Sequence, residues 1–338
     1  MPELLSSSPD RALRGRGEAI YAALDLGTNN CRLLVARRIA EPLPGASFRV
    51  VDAFSRIVRL GEGLAASGVL SEPAMARTLD ALKICADKIA AYRVAGLRSI
   101  ATEACRRAAN CAEFMARVES ETGIVLEIIT AEEEARLVVT GCAPLLDPHV
   151  PYAVVFDIGG GSTELVWVEI VEGAPRIIDS FSLPHGVVTL SDRYGGRDVS
   201  EATYAAMVAE IAAALAPMEE KHRIAPRIGV NEVQMLGSSG TVTTLAAVHL
   251  RLRRYSRRRV DGAVLRFEDL RRASRLLAGQ SHDERVCNPC IGAERADLVL
   301  AGCAILEAIC RLWPVGRLRV ADRGIREGIL LGLVQQGG

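Results

Sequence analysis

The sequence has no hydrophobic run long enough to cross a bilayer. Its longest apolar helical stretch extends from Leu298 to Leu306 and is closed by Asp297 and Glu307, well short of the roughly 18 to 20 residues that span a membrane. The first ten residues, MPELLSSSPD, also lack the basic start and the continuous apolar core of a secretory signal. We therefore expect a cytoplasmic protein with no membrane partner and a flexible tail over residues 1–18.

The chain also lacks net charge, lysine and a disulfide framework. Its 41 basic side chains balance 41 acidic ones, and only three of the basic residues are lysines. With 49% hydrophobic residues, neither a disordered chain nor a polyelectrolyte fits the composition. The nine cysteines are an odd number spread over 338 residues, which favours reduced thiols. The Cys287-x-x-Cys290 pair has no second pair nearby, so it does not indicate a zinc site.

One local excess of charge is present. The segment from Arg251 to Arg275 holds ten arginines against three acidic residues. Guanidinium groups bind phosphate oxygens in pairs, so this stretch could hold a polyanion, with a solvated surface as the equal alternative. A nucleic-acid partner is not expected, because Tyr255 is the only aromatic residue within the arginine run 251–259.

A strand, a polar turn and a second strand occur twice in the sequence. The first unit has strands over 19–24 and 32–36 around Asp25-Leu26-Gly27-Thr28-Asn29-Asn30. The second has strands over 152–156 and 165–168 around Asp157-Ile158-Gly159-Gly160-Gly161-Ser162-Thr163. This repeat predicts two related α/β domains, one over residues 19–140 and the other over 141–321. The C-terminal helix, within residues 322–338, is expected to pack back onto the first domain.

Helix signals lie between these units. Capping patterns predict helices that begin after Ser71, Asn110 and Thr130, the first of them ended by Gly96 and the other two with glutamate three residues after the cap. In the second half, helices are predicted from Ser200 onward, over 242–248, over 291–312 and over 325–334. Strands alternating with helices are typical of an α/β fold.

The glycine-rich turns indicate phosphate binding. Such turns expose backbone N–H groups that no side chain shields, and flanking hydroxyls add further donors. A third turn, Gly237-Ser238-Ser239-Gly240-Thr241, leads directly into a helix. Asp25 and Asp157 come at strand ends beside the first two turns, where they suit a hard divalent cation that bridges phosphate oxygens. Mg²⁺ is the expected cofactor, with Mn²⁺ as the alternative.

The three turns stand in a series of strings that covers nearly the whole chain. The others are Arg59-Leu60-Gly61-Glu62-Gly63, Ala101-Thr102-x-Ala104-x-Arg106, Glu133-Glu134-Ala135, Glu294-Arg295-Ala296-Asp297 and Gly324-Ile325-Arg326-Glu327-Gly328. In this order they resemble the exopolyphosphatase and guanosine pentaphosphate phosphatase (Ppx/GppA) family, a member of the superfamily of actin-like ATPases and sugar kinases. The resemblance implies two actin-like ATPase (ribonuclease H-like) domains that flank a central phosphate-binding cleft.

The resemblance also implies roles for individual residues. Glu134 would be the general base that activates water, and Arg106 would neutralise charge on the transferred phosphate. Asp25, Asp157 and Glu164 would hold Mg²⁺ directly or through water. The residues that would cradle phosphates or line the cleft are Gly27, Thr28, Asn29, Gly159, Gly160, Gly161, Ser162, Thr163, Ser238, Gly240 and Thr241.

Physical chemistry agrees with Glu134 as the base. Glu133 has the capping-box spacing from Thr130, so its expected role is structural. Glu134 is free in the first helical turn, where the helix dipole favours the ionised carboxylate that a base must have. The sequence departs from the family pattern at Thr28, Asn30 and Thr130-Ala131. Asn30 replaces a hydroxyl with an amide, which is expected to alter the phosphate contact.

These observations favour a Mg²⁺-dependent exopolyphosphatase that releases terminal phosphate from inorganic polyphosphate. Guanosine pentaphosphate is the alternative substrate, because both substrates present a terminal phosphoanhydride. A sugar kinase or ATPase and a non-enzymatic polyphosphate or nucleotide sensor are more distant alternatives. Longer family members carry further helical domains that help bind long polyphosphate, so processive action on long chains would need a substitute such as the arginine run. A homodimer is compatible with the abundance of apolar helix.

Overall fold

The computed structural model describes residues 19–43 and 46–336, so the predicted tail over residues 1–18 lies outside the described residues. The first half contains β1 (Ile20–Leu26), β2 (Asn30–Leu43), β3 (Ala46–Ile57), α1 (Leu64–Ser67), α2 (Glu72–Tyr92), β4 (Gly96–Ala101), α3 (Glu103–Arg107), α4 (Cys111–Thr122), β5 (Glu127–Ile128) and α5 (Ala131–Cys142). The second half, after a short 3-10 turn, contains β6 (Tyr152–Ile158), β7 (Thr163–Val171), β8 (Ala174–Leu183), α6 (Val187–Tyr194), α7 (Glu201–His222), α8 (Ile224–Ile228), β9 (Val233–Ser238), α9 (Gly240–His249), α10 (Arg257–Val260), β10 (Val264–Arg266), α11 (Phe267–Ala278), α12 (His282–Val286), α13 (Val299–Leu312), β11 (Arg317–Ala321) and α14 (Ile325–Gln336).

The two sheets are built on one plan. Their strand orders are β3-β2-β1-β4-β5 and β10-β11-β9-β6-β7-β8. In the first sheet β1 pairs antiparallel with β2 and parallel with β4, and in the second β6 pairs antiparallel with β7 and parallel with β9. The strands β1 and β6 even share the same succession of buried and half-buried residues. The predicted α/β fold of two related halves is confirmed.

The core is layered around two central helices. Helices α2 and α4 cover the outer face of the first sheet, and α7, α9 and α13 pack against the second. Helices α5 and α14 lie between the sheets. Ala135 and Val138 of α5 join the cluster of the second sheet, whereas Ile329 and Leu330 of α14 join that of the first. The C-terminal helix therefore packs on the first sheet.

Glycines allow α5 and α14 to cross in close contact. A Cβ atom on Gly328 would lie 2.2 Å from the carbonyl oxygen of Leu137, and one on Gly141 would lie 2.0 Å from that of Gly324. Any side chain at these positions would push backbone apart. The crossing thus places the C-terminal turn of α5 against the loop that precedes α14.

Two predicted helix boundaries differ from the structure. Helix α2 ends at Tyr92 with Arg93 in the left-handed region at φ 48°, and Gly96 instead begins β4. The long helix predicted over 291–312 begins only at Val299, because residues 288–298 form successive turns and Gly292 has a φ of 75°. Within the described residues, none of the helices is both long and apolar enough to span a bilayer.

The predicted capping role of Asn110 is wrong. Its side chain accepts a hydrogen bond from the Leu70 amide at 2.8 Å and donates one to the Leu70 carbonyl at 3.0 Å. The Asn110 amide group thus ties α4 to the loop before α2, because it satisfies both the N–H and the C=O of the buried residue Leu70. By contrast, Ser71, Thr130 and Ser200 each accept a hydrogen bond from the backbone amide three residues later, as predicted for the caps of α2, α5 and α7.

Candidate active site

The candidate active site is a cleft between the two halves, where the β1–β2 turn meets the β6–β7 turn. The Gly27 amide donates to the Asn30 carbonyl at 2.9 Å, and the Gly159 amide donates to the Ser162 carbonyl at 2.9 Å. The two predicted phosphate turns therefore have the same backbone hydrogen bond. Most of the predicted residues line this cleft, namely Asp25, Gly27, Thr28, Asn29, Glu134, Asp157, Gly159, Gly160, Gly161, Ser162, Glu164, Gly240 and Thr241.

Glycine is required where the turns approach each other. A Cβ atom on Gly160 would lie 3.0 Å from Cβ of Asn29, and one on Gly161 would lie 2.6 Å from the Thr28 hydroxyl oxygen. Larger residues there would force the two halves apart. The Oδ1 atoms of Asn29 and Asn30 are buried and have no hydrogen-bond partner within the described residues. Buried polar atoms without a partner in the protein are candidates for contact with a ligand or with water.

Two aspartates approach the cleft from equivalent strands. Asp25 and Asp157 are the penultimate residues of β1 and β6. Burial raises the pKa of Asp25 above its usual range, and it raises the pKa of Asp157 to about 6, with the nearby Arg32 opposing both shifts. The fold thus holds two carboxylates in a place that favours their protonation unless a cation is close.

Glu164 lies opposite Asp157 in the β6–β7 pair. Its Oε1 accepts hydrogen bonds from the Ser162 hydroxyl at 2.6 Å and from the Ser182 hydroxyl at 3.1 Å. Burial raises the pKa of Glu164 to about 7, and the Asp157 carboxylate adds to that rise. Two serines therefore orient Glu164, and one of them is the predicted phosphate ligand Ser162.

These shifts predict how stability depends on pH. Asp157 and Glu164 bind protons more tightly in the folded chain, so their contribution to stability is fully present only below about pH 4 and is lost as pH rises through about 6 for Asp157 and about 7 for Glu164. In chelator-treated protein we expect Glu164→Gln to reduce this loss between about pH 5 and pH 8 by on the order of 2 kcal/mol. Urea unfolding of both proteins at each pH measures it, and parallel pH profiles would contradict the assignment.

The carboxylates suit a magnesium ion that shares its coordination with phosphate. Across residues 19–43 and 46–336, no three His, Cys, Asp or Glu side chains come together as a metal cage. Mg²⁺ commonly uses one or two carboxylates together with water and substrate phosphates. Asp25 and Asp157, with no ion pair to another described side chain, fit that donor set. Glu164, held by two serines, fits a contact through water.

Glu134 lies in the first turn of α5, which Thr130 caps through the Glu133 amide at 3.2 Å. The Glu133 side chain does not complete the capping box and instead pairs with Arg98 at 2.9 Å and Arg136 at 2.7 Å. Glu134 is only 6% exposed. Burial raises its pKa well above the usual range, the Glu164 charge adds to this, and Arg106 opposes it.

Arg106 is the counter-ion of Glu134. Its Nη1 donates to Oε2 of Glu134 at 2.8 Å and to the Ile129 carbonyl at 3.0 Å. Its Nε and Nη2 both donate to Oε2 of Glu103, at 3.2 and 3.0 Å. Two carboxylates and a backbone carbonyl thus orient the guanidinium, and Arg106 contacts the cleft residue Glu134 without itself being among the residues that line the cleft.

Two predicted phosphate ligands have other partners. The Thr163 hydroxyl donates to the His185 carbonyl at 2.6 Å and does not line the cleft. The Ser238 hydroxyl donates to the Arg323 carbonyl at 2.9 Å and lines a neighbouring cavity. The sequence predicts no role for Ser239. This residue directly precedes α9 with a φ of 95°, and its buried Oγ has no hydrogen-bond partner in the described part of the chain.

The sequence reasoning missed two cleft arginines. Arg32 and Arg295 both line the cleft. Arg32 follows the last residue of the first turn by two positions, and Arg295 lies within Glu294-Arg295-Ala296-Asp297. An arginine within or directly after a motif of a phosphate-binding family is the sequence signal that could have identified both residues.

Comparisons with known proteins agree with this geometry. A model of the Ppx/GppA phosphatase family matches residues 38–336. The chain is 30% identical over 325 residues to exopolyphosphatase 2 of Mycobacterium tuberculosis, covering 92% of this chain and 98% of that protein. It is 30% identical over 316 residues to the guanosine-5'-triphosphate,3'-diphosphate pyrophosphatase of Aeromonas salmonicida, covering 93% of this chain and 59% of that protein. The crystal structure of the Aquifex aeolicus member of the Ppx/GppA family, 27% identical, superposes with a TM-score of 0.74 over 94% of this chain and 98% of that one, and shares its actin-like ATPase fold.

Proposed function

This chain belongs to the Ppx/GppA phosphatase family and is a hydrolase of phosphoanhydride bonds, and on that premise we propose that it releases terminal orthophosphate from inorganic polyphosphate. The observation that carries the proposal is the pairing of Glu134 with Arg106 at 2.8 Å beside the two facing glycine turns. A buried carboxylate with a fixed cation, next to a phosphate cradle, has the parts that water attack on a phosphoryl group requires.

The chemical step follows from that arrangement. Backbone amides of the two turns would hold the terminal phosphate. Glu134 would accept a proton from a water molecule on the side of the terminal phosphorus opposite the bridging oxygen. The water oxygen forms a bond to the terminal phosphorus while the bridging oxygen leaves with the shortened chain. Arg106, which Glu103 holds in place, would offset the negative charge on the transferred phosphoryl oxygens.

Mg²⁺, with Mn²⁺ as the alternative, is the proposed cofactor. When bound, the ion would neutralise phosphate charge and favour departure of the leaving phosphate. Asp25 and Asp157 would hold it together with substrate oxygens, and Glu164 would reach it through water. The raised pKa values of Asp157 and Glu164 support the proposal, because a cation between these carboxylates would remove the repulsion that burial strengthens.

The relatives that the chain matches are named for both candidate substrates. The match reaches nearly to both ends of the relative named exopolyphosphatase, at 98% of its length, but covers only 59% of the relative named for the guanosine substrate. The catalytic residues alone do not separate the two substrates, since both end in a phosphoanhydride.

The test is phosphate release by the purified chain with Mg²⁺ from long polyphosphate, tripolyphosphate, guanosine pentaphosphate and ATP, each assayed at equal phosphate-end concentration. We expect polyphosphate to have the highest kcat/KM, and chelation of the metal to abolish release. Preference for the pentaphosphate would move the function to that alternative. Binding of polyphosphate without release from any substrate would overturn the hydrolase assignment in favour of a sensor.

A further inference from the structure

A loop of the first half supports the first glycine turn from behind. This loop, which we call the bridge loop, spans residues 58–63 between β3 and α1. The Val58 amide donates to the Asn29 carbonyl at 2.9 Å, and the Gly61 amide donates to the Thr28 carbonyl at 2.9 Å. Because these bonds join the two backbones directly, the position of the bridge loop sets the position of the first glycine turn.

Arg59 of the bridge loop has a backbone conformation that is unfavourable for a residue with a side chain. Its φ is 48°, in the left-handed region that favours glycine. The bend lets the amides of Val58 and Arg59 both donate to the Asn29 carbonyl, at 2.9 and 3.1 Å. Glycine would adopt this bend without the strain of a Cβ atom, so the arginine found here points to a role for its side chain.

The Arg59 side chain crosses to the second half. Its Nη2 donates to Oδ1 of Asp297 at 2.9 Å and to the Glu294 carbonyl at 3.1 Å. The two paired side chains are 28% and 24% exposed, so water screens their attraction only in part. A second contact accompanies the first, since the Gly63 amide donates to Oδ2 of Asp192 on α6 at 3.3 Å. The bridge loop therefore binds the first glycine turn and the second half at the same time.

Several contacts hold the acceptor Asp297 in place on the second half. Its carbonyl accepts a hydrogen bond from the Ser191 hydroxyl at 3.1 Å, and a Cβ atom on Gly196 would lie 1.9 Å from the same oxygen. The carbonyl of the preceding residue accepts a hydrogen bond from Nε of the buried Arg285 at 3.1 Å. Asp297 is thus a fixed anchor, and the ion pair with Arg59 joins two well-supported segments.

We propose that Arg59 is a positioning residue whose ion pair with Asp297 holds the first glycine turn at the distance from the second turn that substrate binding requires. The inference rests on the proposed function, in which both turns hold the terminal phosphate. Without the pair, only a fraction of the molecules has the turns correctly spaced, and the apparent substrate affinity falls by that fraction. Bound substrate contacts both turns and restores their spacing, so the chemical step at saturation is preserved.

The test is a double-mutant cycle in the full chain, with Arg59→Gln, Asp297→Asn and the two changes combined. Glu62→Gln is the matched control, because Glu62 lies in the same loop and its ion pair with Arg77, at 2.7 Å, stays within the first half. Each protein is assayed for KM and kcat on tripolyphosphate and on long polyphosphate. Hydrogen exchange of the bridge loop and of residues 27–30 is measured without substrate, and urea unfolding verifies that each variant is folded.

We expect Arg59→Gln to raise KM about threefold to tenfold on both substrates and to change kcat by less than about twofold. Exchange of the measured amides should be faster in this variant. Asp297→Asn should have a smaller effect in the same direction, because Arg59 keeps its bond to the Glu294 carbonyl. The double variant should match Arg59→Gln, since both changes remove one interaction. Glu62→Gln should match the unaltered protein.

Three results would overturn the inference. The first is an unchanged KM in Arg59→Gln, the second is a double variant in which the two single effects multiply, and the third is an equal effect of Glu62→Gln. If the unaltered chain releases no phosphate from any substrate, the proposed function fails by itself. The exchange comparison needs no turnover and then decides the inference, because equal exchange in Arg59→Gln and the unaltered protein refutes the bridge and faster exchange supports it.

Discussion

Replacing Glu134 with glutamine is expected to lower kcat on polyphosphate by roughly 10²- to 10⁴-fold, the usual contribution of a general base. The amide has nearly the same shape and its oxygen can still accept the hydrogen bond from Arg106 that Oε2 accepts at 2.8 Å. It cannot accept the proton that water must lose. Substrate binding should change little, because the glycine turns and the cleft arginines Arg32 and Arg295 stay in place. The measurement is single-turnover phosphate release together with equilibrium binding.

The matched control is Glu132→Gln. Glu132 lies two residues earlier in the same helical turn, is exposed, and carries the same charge. This variant loses the same favourable interaction with the helix dipole, which is worth only about 0.3 to 1 kcal/mol at a surface position. It should retain hydrolysis. A Glu134→Gln protein that keeps more than about a tenth of the unaltered kcat would exclude Glu134 as the base.

Replacing Arg106 with glutamine is expected to have the second largest effect. A side chain that stabilises charge in the transition state typically contributes about 10² to 10³ in kcat. The loss should extend to stability, on the order of 3 kcal/mol, because Glu134 and Glu103 would remain buried or half-buried without their shared cation. Arg106→Lys should not restore activity, since one ammonium cannot contact Glu103, Glu134 and the Ile129 carbonyl in the geometry of the guanidinium plane.

The pH dependence separates this role from a purely structural one. Arg106 lowers the pKa of Glu134 against the effect of burial, so its removal raises that pKa further. Residual activity of Arg106→Gln should therefore reach its maximum at a higher pH than activity of the unaltered protein. Arg107→Gln is the control, because Arg107 is more exposed and contacts Glu103 only at 3.9 Å. A variant with reduced activity but an unchanged pH profile would show that Arg106 acts on folding alone.

The sequence predicted the parts of the site that depend on local chemistry. A strand, an Asp-x-Gly turn and a strand are contiguous in the chain, so their repetition predicted both glycine-rich turns and the duplicated α/β plan. The choice of Glu134 over Glu133 needed only the position of the Thr130 cap, and the structure has Glu133 engaged by Arg98 and Arg136. Competition between local and distant hydrogen-bond partners was harder to predict. At Asn110, the side chain binds the backbone of a residue 40 positions away and does not cap the helix.

The tertiary structure alone decided which distant groups share the cleft. Asp25 and Asp157 stand at equivalent strand ends, but their approach depends on how the two sheets pack around α5 and α14. The pairing of Arg106 with Glu134 joins residues 28 positions apart, and the close glycine crossing with α14 fixes the helix whose first turn carries Glu134. The cleft arginines Arg32 and Arg295 come from two separate segments. Local sequence determines backbone conformation over a few residues, whereas long-range packing determines which charged groups share a site.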